Sequence, residues 1–272
     1  MLGRTTQRLL STQHEVVGLT RGDLELTNFS QVRDCLAAEK PQIVVNCAAY
    51  TKVDQAETDQ QDAFAGNALA AGNLAGAVAA TGAYLISIST DYVFAGNADR
   101  PYHEWDACEP SSVYGQSKLA GEQAIQQQGC LHSILRVAWL YGNGGPSFFH
   151  TMAKLTRQKG DPLKVVNDQI GNPTSCDAVA ELIGQLIDHP LPGIVHATCE
   201  GETSWFGFTQ AIAEAIGGQR GILPCDSSQF PRPAPRPANS RLDNMALRIA
   251  GRPSLPNWQE ALTRFIAAYP LP

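Results

Sequence analysis

Tyr114 and Lys118 stand four residues apart in the run Tyr-Gly-Gln-Ser-Lys, which reads as the start of a helix. Residues at i and i+4 share a helix face. A lysine ammonium beside a tyrosine hydroxyl stabilises the phenolate and lowers the tyrosine pKa. That pairing suits proton donation to a carbonyl oxygen whose carbon receives hydride, and the lysine can also hold a ribose hydroxyl. Taken alone the spacing is weak, because most such pairs decorate ordinary helix surface. A second cluster adds weight. Ser89, Thr90 and Asp91 fall at the end of the apolar run 83–89 (AYLISIS), where open α/β sheets bind ligands. A hydroxyl there completes a Thr-Tyr-Lys set that polarises a ketone. For Thr90 alone, a turn or helix cap is the plain alternative.

The elements that must position these residues alternate along the first half. Residues 15–19 (EVVGL), 42–49 (QIVVNCAA), 83–89 and 132–137 (HSILRV) read as strands. Residues 29–39, stopped by Lys40-Pro41, then 61–80, ended by Thr81-Gly82, and 112–128 read as helices. Strands alternating with helices imply right-handed crossovers and a parallel sheet, and nearly continuous apolar strands imply helices on both faces. The expected class is α/β: a Rossmann-like, doubly wound parallel sheet with a smaller, irregular C-terminal part. Beyond residue 142 Pro and Gly become frequent. Helices are expected over 148–158, 176–188, 205–216 and 256–268, a strand over 193–198, and a proline-rich loop over 230–237. The implied division is a nucleotide-binding domain over 1–142 and a mainly substrate-binding part over 143–272, some of whose elements return to the first.

With 272 residues, 43% hydrophobic and 17% charged, the chain can bury a sizeable core and is not mainly disordered. Twenty Lys+Arg against 26 Asp+Glu leave a net charge of -6, which argues against a general nucleic-acid binder. The uncharged stretch 63–90 reads as a buried helix and strand rather than a membrane span. Seven widely spaced cysteines without C-x-x-C fit free thiols in a reducing, cytoplasmic compartment. The six histidines are scattered, so no metal site is expected.

Six motifs carry a resemblance: NCAAYTKVDQAE (46–57), STDYVFAG (89–96), VYGQSKLAGE (113–122), RVAWLYG (136–142), VVNDQIGNPTS (165–175) and RPANSRL (236–242). In their order and spacing the chain resembles the extended short-chain dehydrogenase/reductases, and within them the dTDP-4-dehydrorhamnose reductase family. The resemblance implies NADPH-dependent reduction of the C4 ketone of dTDP-4-dehydro-6-deoxy-L-mannose to dTDP-L-rhamnose for surface polysaccharide. Thr90, Tyr114 and Lys118 match the family's catalytic set. Ala48, Ala49 and Thr51 match positions along the cofactor's phosphate and ribose, and Asp91, Tyr92 and Trp139 match the sugar pocket. Asn172 and Arg236 lie in motifs expected around the sugar nucleotide. Trp139 can equally be a core aromatic. Some family members are thought to use Mg²⁺, which this sequence does not indicate, and a homodimer is compatible with the family. Two alternatives stand beside this reading: another nucleotide-sugar reductase or epimerase, and a non-catalytic regulatory subunit such as the β subunit of methionine adenosyltransferase.

Cofactor preference follows from residues 18–21. An acid at the end of the second strand holds a ribose 2′-hydroxyl, whereas Arg accepts a 2′-phosphate. Here Thr20 stands where an acid could, with Arg21 beside it and Asp23 close by, favouring NADPH over NADH. The sequence departs from the family at its front, where a first strand and glycine-rich loop should precede the first helix. Only Gly3 remains, at the fingerprint's last glycine. Met1 is therefore expected to be an internal methionine of a longer protein, the alternative being a short form that has lost cofactor binding.

Overall fold

The computed structural model describes residues 1–270. The first half runs α1 (Leu2–Leu10), α2 (Phe29–Glu39), β1 (Ile43–Asn46), α3 (Val53–Ala56), α4 (Gln60–Phe64), a π turn (Ala65–Leu69), α5 (Ala70–Thr81), β2 (Tyr84–Thr90), a 3-10 turn (Asp91–Val93), α6 (Val113–Gln127) and β3 (His132–Val137). Local chemistry sets the boundaries. The Asn28 side chain accepts from Gln31 N to start α2, and Lys40, left-handed at φ 48°, ends it ahead of Pro41. Gly82, at φ 73°, closes α5. Ser112 caps α6 by accepting from Gly115 N at 3.1 Å.

The second half adds β4 (Leu140–Tyr141), α7 (Phe148–Arg157), β5 (Leu163–Val166), β6 (Ile170–Gly171), β7 (Thr174–Ser175), α8 (Cys176–Asp188), β8 (Gly193–His196), β9 (Thr203–Ser204), α9 (Trp205–Ile216), β10 (Ile222–Cys225), β11 (Asn239–Ser240), α10 (Met245–Ile249) and α11 (Trp258–Ala268). The main sheet is parallel throughout, in the order β1-β2-β3-β8, so a strand from the second half closes one side of it. Small sheets β11-β6-β9, β10-β5 and β4-β7 build the irregular part.

Both faces of the main sheet are covered, as a doubly wound sheet requires. Successive residues of β2 and β3 alternate between the two cores. Leu85 and Ile134 join Val32, Leu36, Leu74 and Val78 on one side; Ile86 and Leu135 join Leu2, Leu182, Ile183 and Val195 on the other. Helical Gln60–Thr81 is long and apolar enough to cross a membrane by length and composition, and it packs on α2 and α6 over the first core.

The sequence reading needs correction at residues 15–19. They form no strand, and Val17 and Leu19 are 55% and 48% exposed. A strand needs ladder partners for its backbone groups. Among the described residues none flanks this segment, and β1, which it should approach through a first strand, is an edge. The expected strand 42–49 likewise shortens to β1, and the single helix 61–80 is interrupted by the π turn.

Candidate active site

The site gathers at the carboxyl ends of β1, β2 and β3. The 3-10 turn after β2 lets the Thr90 hydroxyl accept from Tyr92 N at 3.2 Å and donate to Asp91 Oδ1 at 2.9 Å. Opposite it, α6 presents Tyr114 and Lys118 on the face turned to β2. Close approach is possible because residue 115 is glycine: a Cβ there would stand 2.2 Å from the Tyr92 carbonyl oxygen. The Tyr114 and Tyr92 rings meet edge to face at 5.5 Å, and the Thr90 hydroxyl lies close enough to that of Tyr114 to lower its pKa. Lys118 Nζ donates to the Ile88 carbonyl at 2.7 Å. Thr90, Tyr114, Lys118, Asp91 and Tyr92 are thus brought together.

Electrostatics here are set by burial. Desolvation pushes the Tyr114 hydroxyl up to about 12 against the influence of Thr90, and draws Lys118 down to about 8 against the attraction of Glu122. The Tyr114 pKa is therefore raised and not lowered: burial sets its direction, and the lysine is engaged with a backbone carbonyl. Asp91 is buried and pushed up to about 7, and its Oδ2 has no partner. An unpartnered buried oxygen on the edge of a reaction site is a natural contact for a ligand hydroxyl.

Behind this corner lies a brace that the sequence reading missed. Arg136 on β3 forms a buried pair with Glu122 on α6 through Nη2 at 2.7 Å and Nε at 3.0 Å, and Ser89 donates to the same carboxylate. Asn67, in the π turn, clasps Tyr50 N and O and Ser117, tying the loop after β1 to α6. A polar residue in an otherwise small, apolar helix was the available signal for Asn67.

The proposed cofactor residues line the carboxyl end of β1. Ala48, Ala49 and Thr51 are exposed, and Ala48 N donates to Asn46 Oδ1. Gly3 lies on the Cys47 side chain, where an added Cβ would approach to 3.4 Å. There α1 begins with no side-chain cap and no acidic residue in its first turn, so its open N–H groups suit an anionic group. Arg21 is 89% exposed and paired with Glu25 at 3.2 Å, while Asp23 accepts from Thr20.

The residues expected around the substrate separate. Trp139 follows β3 directly and is half-buried, its Nε1 donating to Ser240 Oγ at 2.9 Å. Ser240 in turn donates to the Ile170 carbonyl at 3.2 Å. Arg236 pairs with Asp54 at 2.8 Å, bridging the two halves of the chain. Asn172 braces the irregular part: its amide nitrogen donates to the Gly201 carbonyl at 2.6 Å and its oxygen accepts from Leu242 N at 2.8 Å. Among the described residues, no group of three or more His, Cys, Asp or Glu side chains is placed to hold a metal.

A parallel doubly wound sheet with Thr, Tyr and Lys converging at its carboxyl edge defines an extended short-chain dehydrogenase/reductase. Within that class, the chain belongs to the family described as RmlD substrate binding domain, which matches residues 1–270. It is 40% identical over 273 residues to a dTDP-4-dehydrorhamnose reductase of Mycolicibacterium smegmatis, covering 98% of this chain and 83% of the relative. Its fold matches the crystal structure of a Clostridium acetobutylicum dTDP-4-dehydrorhamnose reductase ortholog with a TM-score of 0.96 at 39% identity, covering 99% and 96% of the two chains. It matches the Bacillus anthracis dTDP-4-dehydrorhamnose reductase solved in complex with NADP with a TM-score of 0.95 at 37% identity, covering 98% and 95%.

Proposed function

We propose that this protein is an NADPH-dependent reductase that converts the C4 ketone of dTDP-4-dehydro-6-deoxy-L-mannose to the alcohol of dTDP-L-rhamnose, in the cytoplasm. The observation that carries this reading is the convergence of Thr90, Tyr114 and Lys118 beside the unpartnered Asp91 carboxyl oxygen. Several relatives about 40% identical to this chain carry the dTDP-4-dehydrorhamnose reductase name, which disfavours a purely regulatory subunit.

When bound, NADPH supplies the hydride. Gly3, Ala48, Ala49 and Thr51 would hold its phosphate and ribose along the β1 edge, with Arg21 released from Glu25 to meet a 2′-phosphate. Lys118 keeps ammonium protons beyond the one given to Ile88, and these suit the nicotinamide ribose. Tyr114 holds its own proton firmly, as its raised pKa requires, and gives it up only to the oxygen that turns into an alkoxide as the ketone is reduced. Thr90, turning its hydroxyl away from Asp91 Oδ1, donates to that same oxygen and steadies the charge. Asp91, Tyr92 and Trp139 form the sugar wall. Arg236, exchanging Asp54 for the diphosphate, anchors the nucleotide to the 143–272 part.

The test is NADPH oxidation with dTDP-4-dehydro-L-rhamnose and chromatographic identification of the product. Tyr114→Phe should lower kcat by about 10²–10⁴-fold while leaving the fold intact. Equal turnover by Tyr114→Phe would sink the assignment. Faster turnover of a different keto-sugar nucleotide would redirect the substrate.

A further inference from the structure

Lys118 and Glu122 stand one turn apart on the buried face of α6, and each is tied to one of two consecutive residues of β2. Lys118 Nζ donates to the Ile88 carbonyl at 2.7 Å, and Ser89 Oγ donates to the Glu122 carboxylate. Residues at i and i+4 share a helix face, so both side chains enter the same seam between helix and strand. They line one small cavity there with Ser87, Ser89 and Asn67. Both are buried, at 8% and 3% exposed.

The carboxylate is held from a third element. Arg136 grips it from β3 through Nη2 at 2.7 Å and Nε at 3.0 Å. The guanidinium is fixed in turn, with Nη2 on Cys108 Sγ at 3.2 Å and its central carbon 5.0 Å from the centre of the Phe94 ring. A brace of this kind accounts for Glu122 and Arg136 but not for the cation beside them. The Lys118 ammonium is buried with a neutral carbonyl as its hydrogen-bond partner, and a buried cation so placed tends to shed its proton. Burial draws Lys118 down to about 8, and the charge of Glu122 works against that fall.

The other titratable groups around Lys118 are Tyr114 on α6 itself, Asp54 and Glu57 at α3, Asp62 on α4, Asp91 and Tyr92 after β2, and Cys47 after β1. The α5 helix and the π turn carry none. Of these groups Cys47 alone also acts on Lys118, and burial keeps its thiol protonated to about 11. Glu122 is thus the one carboxylate that supports the ammonium.

We infer that Glu122 is a positioning residue: clamped by Arg136 and Ser89 one helical turn beyond Lys118, its carboxylate is the buried counter-charge that keeps Lys118 an ammonium. The inference rests on the reading of Lys118 as the residue that meets the cofactor ribose. A lysine near 8 is mostly charged at neutral pH, whereas one unit lower it is about half neutral at pH 7.

The experiment follows the side-chain carbon resonances of ¹³C-labelled lysine by NMR through a pH titration of the whole chain. There are six lysines, and Lys118→Arg identifies the Lys118 signal. This readout needs neither cofactor nor turnover. The parent midpoint should lie near 8. Glu122→Gln, which retains an acceptor for Arg136 and Ser89, should lower it by about one pH unit or more. Arg136→Met with Glu122→Leu, which leaves no buried charge of the pair behind, should lower it in the same direction and decides the matter if Glu122→Gln does not fold. The alkaline limb of kcat/KM for NADPH should move down with the midpoint. A midpoint unchanged in both variants overturns the inference and leaves Glu122 a strut. A fall in Glu122→Gln that is absent from the double variant overturns it as well, because the uncompensated Arg136 charge is then the cause. A midpoint that falls while the alkaline limb stays in place, or a parent without turnover, shows instead that the reading of Lys118 failed, and the inference falls with it.

Discussion

The corner on β2 and α6 and the cradle around Trp139 are assembled differently. Tyr114 and Lys118 share a helix face four residues apart, and Thr90 ends the strand against which that helix packs. The periods of helix and strand set most of that arrangement. Trp139 is held by Ser240, 101 residues away, by Gly171 on β6 and by Trp205 at the start of α9. Two-residue strands cannot fix a side chain through ladders alone, so the cradle depends on specific side-chain contacts. A regular scaffold therefore tolerates loss of a peripheral contact, whereas the irregular part concentrates its order in a few bonds.

The largest expected effect tests whether the regular corner is as self-sufficient as its ladders suggest. Arg136 and Glu122 have side chains only 4% and 3% exposed. Arg136→Met leaves the carboxylate buried and unpaired and should cost about 3–5 kcal/mol in urea unfolding, most of it recovered by adding Glu122→Leu. A neutral single variant would show that the ladders alone hold the corner.

Asp91 belongs to the regular corner, where it accepts from Thr90. Its folded pKa of about 7 lies above the ordinary carboxylate value of 3.8, because burial disfavours the charge. Near and below pH 4 the group is protonated in both states and contributes nothing. Between about 4 and 7 the folded state holds a proton that the unfolded chain has released, so stability falls as pH rises, by at most about 4 kcal/mol, and the loss is complete above 7. Asp91→Asn should flatten this slope in pH-dependent thermal melts and gain most over the parent above pH 7. A parent slope of opposite sign would show that ligand-free Asp91 is held charged.

In the irregular part, Asn172→Ala strips partners from Gly201 O and Leu242 N. Stability should fall by about 1–3 kcal/mol per group left dry. Hydrogen exchange should quicken around β6 and β11 but not around β2, and uniform quickening would erase the contrast between the regions. The smallest structural effect belongs to Arg236→Ala, since the pair with Asp54 is partly exposed and is worth under about 1 kcal/mol. Its signature should be weaker binding of dTDP, and a melting point shifted without any loss of dTDP affinity would make Arg236 a strut only.

Most of the regular half was legible because its signals are local. Apolar runs and the Lys40-Pro41 and Thr81-Gly82 stops place α2, β2, α6 and β3 close to where the structure has them. Residues 15–19 misled because strand propensity is local but a strand is not: without a neighbour to pair with, EVVGL stays irregular. The pKa of Tyr114 misled for a related reason. Helix spacing shows that a lysine is near, but desolvation depends on everything else packed around the hydroxyl.

Residue types and spacing were enough to select the parallel α/β class and to single out Thr90, Tyr114 and Lys118, because each depends on patterns within one element or between sequential ones, while the order of six motifs carried the likeness to a reductase family. Tertiary structure decided that Asn172 is a brace, that Arg236 is paired with Asp54, that Asp91 keeps a bare buried oxygen, and that Trp205 stacks on Trp139. Those outcomes join segments tens to more than a hundred residues apart. They follow from how two-residue strands and loops pack against one another, for which no local period exists.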